Sequence, residues 1–290
     1  MTFGIQLIKG KIKSFSDALE LYAKDYHPNY VQIFTHGPRS THELKYDVPE
    51  FLKITKKNKI TLVIHSSYMS NLWKHVIKNG KKTLLPVVTS ELKSCKQFGA
   101  YGVVFHIPKI SWKKFIEGVV FAVKHNPHKI KLLLEMKAST VWKQNYMSDG
   151  DLNTLCEELA KNGVKPKDAQ FVIDTAHIVV QRERVHIKTY AQAKNYLKNL
   201  KYPKYIGALH VNGSSGCGTE EHPKYRDIHE VPLSSKDLIW GGMKYKDSGC
   251  RAFIEYANKL KIPWILEVKE RIRHPKSSIN NFIKKMNGDI

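Results

Sequence analysis

The chain is short of cysteine and of acidic side chains, and it has no long apolar run. Among 290 residues there are four cysteines, Cys95, Cys156, Cys217 and Cys250. They lie far apart and form no CxxC pair, which argues against a disulfide framework and for an intracellular reducing compartment, cytoplasm or nucleus. No apolar stretch reaches the ~18 residues of a membrane span, so no transmembrane helix is expected. The opening MTFGIQLIKGKIKSF has neither an apolar h-region nor a small-residue cleavage site, so no secretory leader is expected. Only 26 Asp and Glu stand against 48 Lys and Arg, a formal net charge of +22. Folding alone does not require that imbalance. It favours a polyanionic partner, nucleic acid first. Solubility or a Lys-rich genome would produce the same composition. An anionic membrane surface is the weaker alternative, because no basic amphipathic anchor stands out.

With 42% hydrophobic residues the chain can build a full core, as one large α/β barrel or as two smaller domains. Strand-like and helix-like stretches alternate throughout. Strands are expected at 3–7, 30–35, 60–65, 102–106, 130–135, 170–174, 205–210 and 264–267. Helices are expected from a cap at Ser14 or Ser16, then at 49–57, 83–98 (ended by Gly99), 112–125, 150–162, 190–200, 249–260 and 277–286. No Pro/Gly/Ser linker divides them. The pattern predicts an α/β fold of the (β/α)8 TIM-barrel type, a single domain over 1–290. An open doubly wound sheet is the alternative, but its site gathers at one switch point.

Six of the apolar runs close on the same kind of residue. TLVIHSS, GVVFHIP, KLLLEMK, FVIDTAH, IGALHVN and WILEVKE place His65, His106, Glu135, Asp174, His210 and Glu267 at their ends. His177 lies one helical turn past Asp174. A polar or charged group at the end of a buried strand costs free energy unless it is paired or holds a metal. Parallel strands would bring all six to one face. Taken singly, a histidine such as His65 or His210 reads more readily as a satisfied core or surface residue. The joint placement is what points to a polynuclear metal site. His27, His36, His75, His125, His128, His186, His222 and His274 lack this placement and are read as surface or helix residues.

Two long connections, 136–149 and 211–240, are expected on the active face. The second holds Asp227 and His229 in RDIHE. In an extended segment residues two apart point the same way, so both can grip one ion. Cys217 in the same loop is read as a bystander. The set then counts five imidazoles and four carboxylates. One ion takes about four ligands, and mixed nitrogen and oxygen donors suit zinc, with Mn2+ or Fe2+ as alternatives. The donors therefore fit two or three ions, a carboxylate bridging. Paired metals ~3.5–4 Å apart suit phosphoryl transfer, and a phosphodiester suits the positive charge.

The ordered series IHSSYMSN, VFHIP, LLLEMK, VIDTAH, ALHVN, the D-x-H of RDIHE and ILEVKE resembles the endonuclease IV family of apurinic/apyrimidinic endonucleases, over almost the whole chain. Viral members of that family would suit the Lys-rich composition and would place the protein in a virion or viral factory. The resemblance implies a (β/α)8 barrel with three zinc ions. His65, His106 and Glu135 would hold the first. Glu135 would bridge to a second held by Asp174, His210 and Glu267. His177, Asp227 and His229 would hold the third. It further implies base excision DNA repair: cutting the backbone 5′ to an abasic site to leave a 3′-hydroxyl and a 5′-deoxyribose phosphate. A metal-bridging hydroxide would attack phosphorus, with Glu135 and Glu267 as the catalytic carboxylates that position it. Arg39 in FTHGPRS and the pair Tyr68 and Met69 match the family's DNA-binding wedge, which fills the gap left by a flipped nucleotide. Ordinary roles are a surface arginine and a packed loop aromatic. The implied partner is double-stranded DNA with abasic sites or blocked 3′ ends, bound by a monomer.

The chain departs from the family in places. Gly213 follows HVN where the family usually has Asp. The stretch before the D-x-H pair is longer and contains Glu220-Glu221-His222, a competing carboxylate-x-His. The later SSKDLIWGG replaces a short Gly-Glu-Gly. Asp227 and His229 are preferred, because Leu233 and LIW resemble the residues just past the family motif. Two rival functions remain at this level. One is a sugar isomerase or epimerase of the xylose isomerase-like barrels, which works with one or two ions. The other is a basic DNA-binding barrel without catalysis. Metal stoichiometry separates the three.

Overall fold

Eight parallel strands wrap into a barrel, with helices packed around its outside. The computed structural model describes residues 2–107, 110–136, 148–179, 186–216, 228–268 and 276–288. In chain order come β1 (Gly4–Gln6), α1 (Phe15–Tyr26), β2 (Tyr30–Phe34), α2 (Val48–Lys57), β3 (Thr61–His65), β4 (His75–Lys78), β5 (Lys81–Leu84) and α3 (Pro86–Phe98). Next are β6 (Val103–Ile107), α4 (Trp112–Lys124), β7 (Leu132–Met136), α5 (Asp149–Lys161), β8 (Ala169–Asp174), the short α6 (Thr175–Val179) and α7 (Tyr190–Lys198). The chain then forms β9 (Ile206–His210), β10 (Gly213–Ser214), β11 (His229–Glu230), α8 (Gly249–Leu260), β12 (Trp264–Ile265) and α9 (Lys276–Asn287). Among the described residues no helix is long and apolar enough to cross a membrane.

The barrel order is β1-β2-β3-β6-β7-β8-β9-β12. Its ends meet where Ile5 pairs in parallel with Leu266. There the Gln6 N–H donates to the Leu266 carbonyl at 3.0 Å, and the Leu266 N–H donates to the Gly4 carbonyl at 2.9 Å. This is the (β/α)8 TIM barrel that strand–helix alternation predicts.

Two apolar layers position the site. The large outer one fills the space between sheet and helices. The small inner one consists of Val63, Val104, Leu133, Val172, Ala208 and Ile265. Each inner residue stands two places before His65, His106, Glu135, Asp174, His210 or Glu267. Side chains two apart on a strand share a face. The apolar plug therefore fixes the parity that turns all six polar side chains into the barrel mouth.

The structure corrects one element. The helix expected from Thr83 begins at Pro86, because Lys81–Leu84 pairs antiparallel with His75–Lys78. Proline suits the first helical turn and biases the residue before it toward extended backbone. Asn79 and Gly80, with φ of 51° and 73°, make the positive-φ turn that Asn-Gly favours in hairpins. The hairpin is anchored by Trp73, whose indole N–H donates to the Phe115 carbonyl at 3.0 Å. Its ring lies over Gly118 of α4, where a Cβ would sit 2.0 Å from the indole.

Candidate metal centre

Eight of the nine sequence-predicted ligands converge at the C-terminal mouth of the barrel. Strand ends deliver His65, His106, Glu135, Asp174 and His210, and Glu267 follows two residues past β12. The α6 turn delivers His177, and β11, paired to β10 across Ser214 and His229, delivers His229. They form three overlapping donor groups: His65, His106 and Glu135; Glu135, Asp174, His210 and Glu267; and Asp174, His177 and His229. Within each group one donor atom per residue lies within 4.8 Å of the others. The ninth, Asp227, lies outside the described residues, as do Glu220, His222 and Cys217.

Glu135 is the hub. Its Oε2 lies 2.9 Å from His106 Nε2 and 3.2 Å from His65 Nε2, while Oε1 lies 3.2 Å from His210 Nδ1. Asp174 Oδ2 faces His210 Nδ1 and His229 Nε2, each at 3.6 Å. Glu267 Oε2 is 3.3 Å from His210 Nδ1. Glu135, Asp174, His65, His177 and His210 are fully or almost fully buried.

Which ring nitrogen faces the centre is set by the partner of the other one. A backbone carbonyl only accepts, so an imidazole nitrogen against one carries hydrogen. His65 Nδ1 donates to the Ser66 carbonyl at 2.8 Å, His177 Nδ1 to Met136 at 2.8 Å and His229 Nδ1 to Glu267 at 3.0 Å. Their Nε2 atoms turn inward. His210 is reversed: Nε2 donates to Gln32 Oε1 at 2.9 Å, and Nδ1 faces the carboxylates. Such outward N–H bonds are how metal-ligating imidazoles are held. Three carboxylates and five imidazoles, several pre-turned in this way, fit divalent cations with borderline nitrogen and oxygen preference.

The electrostatics point the same way. Burial alone would raise the Glu135 carboxyl, but His106 and His210 hold it well below the usual range. Asp174 and Glu267 are lowered too, burial again being outweighed by neighbouring histidines. Burial pulls His210 down, yet Glu135, Glu267 and Asp174 lift it well above the ordinary imidazole value. His106 moves the other way, lowered by burial, which Glu135 does not overcome. Without metal, these opposed shifts favour ionised carboxylates partly balanced by a proton on His210.

Several supporting residues carried a signal that strand ends alone do not reveal. Gln32, buried in the run YVQIF, donates to Glu267 Oε1 at 3.0 Å. Asn212 donates to Asp174 Oδ2 at 2.8 Å and accepts the Glu267 N–H at 2.8 Å. Thr175 donates to the Asn212 carbonyl at 2.7 Å. A lone amide in a buried strand was the available clue for Gln32. Gly213 leaves room for buried Asp237, whose carboxyl carbon lies 2.5 Å from where a Cβ at 213 would be. Asp237 accepts backbone N–H groups of Ser214, Leu233, Ile239 and Trp240, tying the loop that leads from β11 back to the barrel.

Arg39 is exposed on the loop after β2. Tyr68 and Met69, on the loop after β3, are 49% and 52% exposed. The Tyr68 ring lies 6.0 Å from that of His65 and 4.7 Å from that of His106, at the rim of the centre. His36, read from sequence as a surface or helix residue, is instead buried against the Glu91 carboxylate at 3.3 Å.

The profile of the xylose isomerase-like TIM barrel family matches residues 21–239. A probable AP endonuclease of African swine fever virus (isolate Tick/Malawi/Lil 20-1/1983) is 26% identical over 81% of this chain and 77% of its own length. A probable endonuclease 4 of Nitrosopumilus maritimus is 28% identical over 90% of each chain. The crystal structure of endonuclease IV from Thermus thermophilus has the same fold, with a TM-score of 0.69 at 19% identity over 99% of this chain and 100% of that one.

Proposed function

The chain belongs to the xylose isomerase-like TIM barrel family, and from that premise we propose that it is a zinc-dependent AP endonuclease of DNA repair. It would hydrolyse the phosphodiester 5′ to an abasic site and leave a 3′-hydroxyl. The observation that carries this reading is the overlap of the donor groups, with Glu135 shared by two of them and Asp174 by two. A single ion takes about four donors, so a set this large suits a multi-ion centre better than an isomerase with one or two. The relatives are named as a probable AP endonuclease and a probable endonuclease 4, and a net charge of +22 suits a polyanionic substrate.

In this reading His65, His106 and Glu135 hold one ion, and Glu135, Asp174, His210 and Glu267 a second. Asp174, His177 and His229, with Asp227 as the further candidate, hold the third. Bound divalent ions supply Lewis acidity toward phosphoryl oxygens and make water a stronger acid, to a pKa near 7. Glu135 and Glu267 are the acceptors that orient the attacking water, and their depressed pKa values keep them ionised for that task. Gln32 and Asn212 hold Glu267 from either side, and the apolar plug beneath the centre keeps bulk water from below. Arg39, Tyr68 and Met69 are assigned to the DNA: arginine to the groove, the exposed tyrosine and methionine to the unstacked step. Blocked 3′ ends are assigned as a second class of substrate, and the acting species as a monomer.

Glu135→Gln tests the assignment. It keeps the shape but removes the hub charge. The expected result is loss of bound metal and of incision by at least about a hundredfold, with abasic-duplex binding retained within a few-fold. Full incision by this variant would remove Glu135 from the mechanism.

A further inference from the structure

The two loops assigned to the DNA meet over one buried carboxylate that belongs to neither. Glu91 projects from α3 and is fully buried. The loop after β2 gives it two donors: Thr35 Oγ1 at 2.5 Å and His36 Nδ1 at 3.3 Å. The loop after β3 gives it two more: the Ser67 N–H at 2.9 Å and Ser70 Oγ at 3.3 Å. An ionised carboxylate has about four acceptor sites, so the two loops share it evenly. Above it, the loops are stitched directly. The Tyr68 N–H donates to the Pro38 carbonyl at 2.8 Å, and Ser67 Oγ donates to the Ser40 carbonyl at 2.7 Å. Both neighbours of Arg39 are thus held by Ser67 and Tyr68.

Position 91 lies on the apolar face of α3, beside buried Val88, Leu92 and Cys95. An aliphatic residue there would simply continue the packing, and a buried carboxylate is costly unless fully hydrogen-bonded. What Glu91 fixes is the spacing between Arg39 on one loop and Tyr68 and Met69 on the other. Among the described residues, no donor group of the metal centre includes it. We infer that Glu91 is a positioning residue for lesion recognition, holding the two DNA-facing loops at the separation that an extruded abasic nucleotide requires. This rests on the AP endonuclease reading given above.

The test measures incision of a duplex carrying one tetrahydrofuran abasic analogue, with undamaged duplex as competitor, on the metal-loaded full chain. It compares wild type, Glu91→Gln, Glu91→Ala and, as a destabilised control, Leu159→Ala in the distant core on α5. Glu91→Ala should raise half-saturation by the abasic duplex roughly tenfold or more, the scale of a sub-ångström displacement of positioning groups. Its maximal rate, metal content and inhibition constant for undamaged duplex should stay within about threefold of wild type. Glu91→Gln, which keeps an acceptor for the Ser67 N–H, should fall between. Leu159→Ala should lower the melting temperature without changing the ratio of the two affinities. If Glu91→Ala behaves like Leu159→Ala, or loses rate and metal instead of abasic affinity, the inference is overturned while the functional reading stands. A wild type that cannot tell abasic from undamaged duplex would overturn both.

Discussion

At the scale of single residues, the proposed metal centre depends on how each candidate ligand's outer atoms are held. Gln32 joins two of them, accepting from His210 and donating to Glu267. Gln32→Leu keeps the volume and removes both bonds. It is expected to weaken metal affinity by about 10–100-fold, read by competition against a chromogenic chelator; unchanged affinity would deny Gln32 that role. The charge balance gives a pH prediction. His210 is raised above the ordinary imidazole value of 6.5, so its contribution to metal-free stability is complete below that value and is lost as pH climbs through the folded pKa. Glu135 is depressed below the ordinary 4.5, so its contribution is present above that value and is lost as pH falls through the folded pKa. These two contributions are both complete between about pH 4.5 and 6.5, where the lowered His106 opposes them. Chelated protein should lose the Glu135 contribution below that window and the His210 contribution above it, as judged by denaturant midpoints measured from below pH 4.5 to above pH 6.5. Metal loading near neutrality should release a proton, since His210 must give up its own. Calorimetry in buffers of different ionisation enthalpy would detect that proton, and its absence would contradict the assignment.

At the scale of elements, Gly118 and Trp73 show how the outer wall accepts an added hairpin. Gly118→Ala would drive a methyl into the indole and should cost about 1–3 kcal/mol, seen as a lower denaturant midpoint, with incision unchanged because β4 and β5 carry no donor of the centre. A loss of incision at full stability would give the hairpin a functional role. The same region shows where the sequence is silent. The strand ends were legible because each apolar run closes on a polar residue, and the inner plug two places earlier fixes their common direction. The stretch KHVIKNGKKTLL offers no comparable periodicity. Its usable signals, Asn79-Gly80 for a hairpin turn and Pro86 for a helix start, are outweighed where the helix is expected from Thr83. Glu91 was hidden for a different reason: its partners come from two loops that only tertiary packing brings to α3. His36 was misplaced because its partner lies 55 residues further along the chain. Asp237 was invisible without the space that Gly213 leaves.

At the scale of the whole molecule, the barrel separates two tasks. Its apolar layers supply stability, and its C-terminal mouth collects groups that would be costly anywhere else in the fold. In the proposed function the charge of +22 would act over longer distances, drawing a polyanion toward a centre that itself carries carboxylates. A DNA-binding barrel without catalysis would share the charge but would have no use for so many oriented ligands, and a sugar isomerase would have no use for the charge. The most direct test is incision of an end-labelled duplex with a single abasic analogue, beside an undamaged control, with and without a strong chelator. A metal-dependent AP endonuclease should cut at the lesion alone, on its 5′ side, with cutting abolished by the chelator and restored by zinc. Metal-replete protein that leaves the abasic strand intact, or that cuts equally well after chelation, would contradict that assignment.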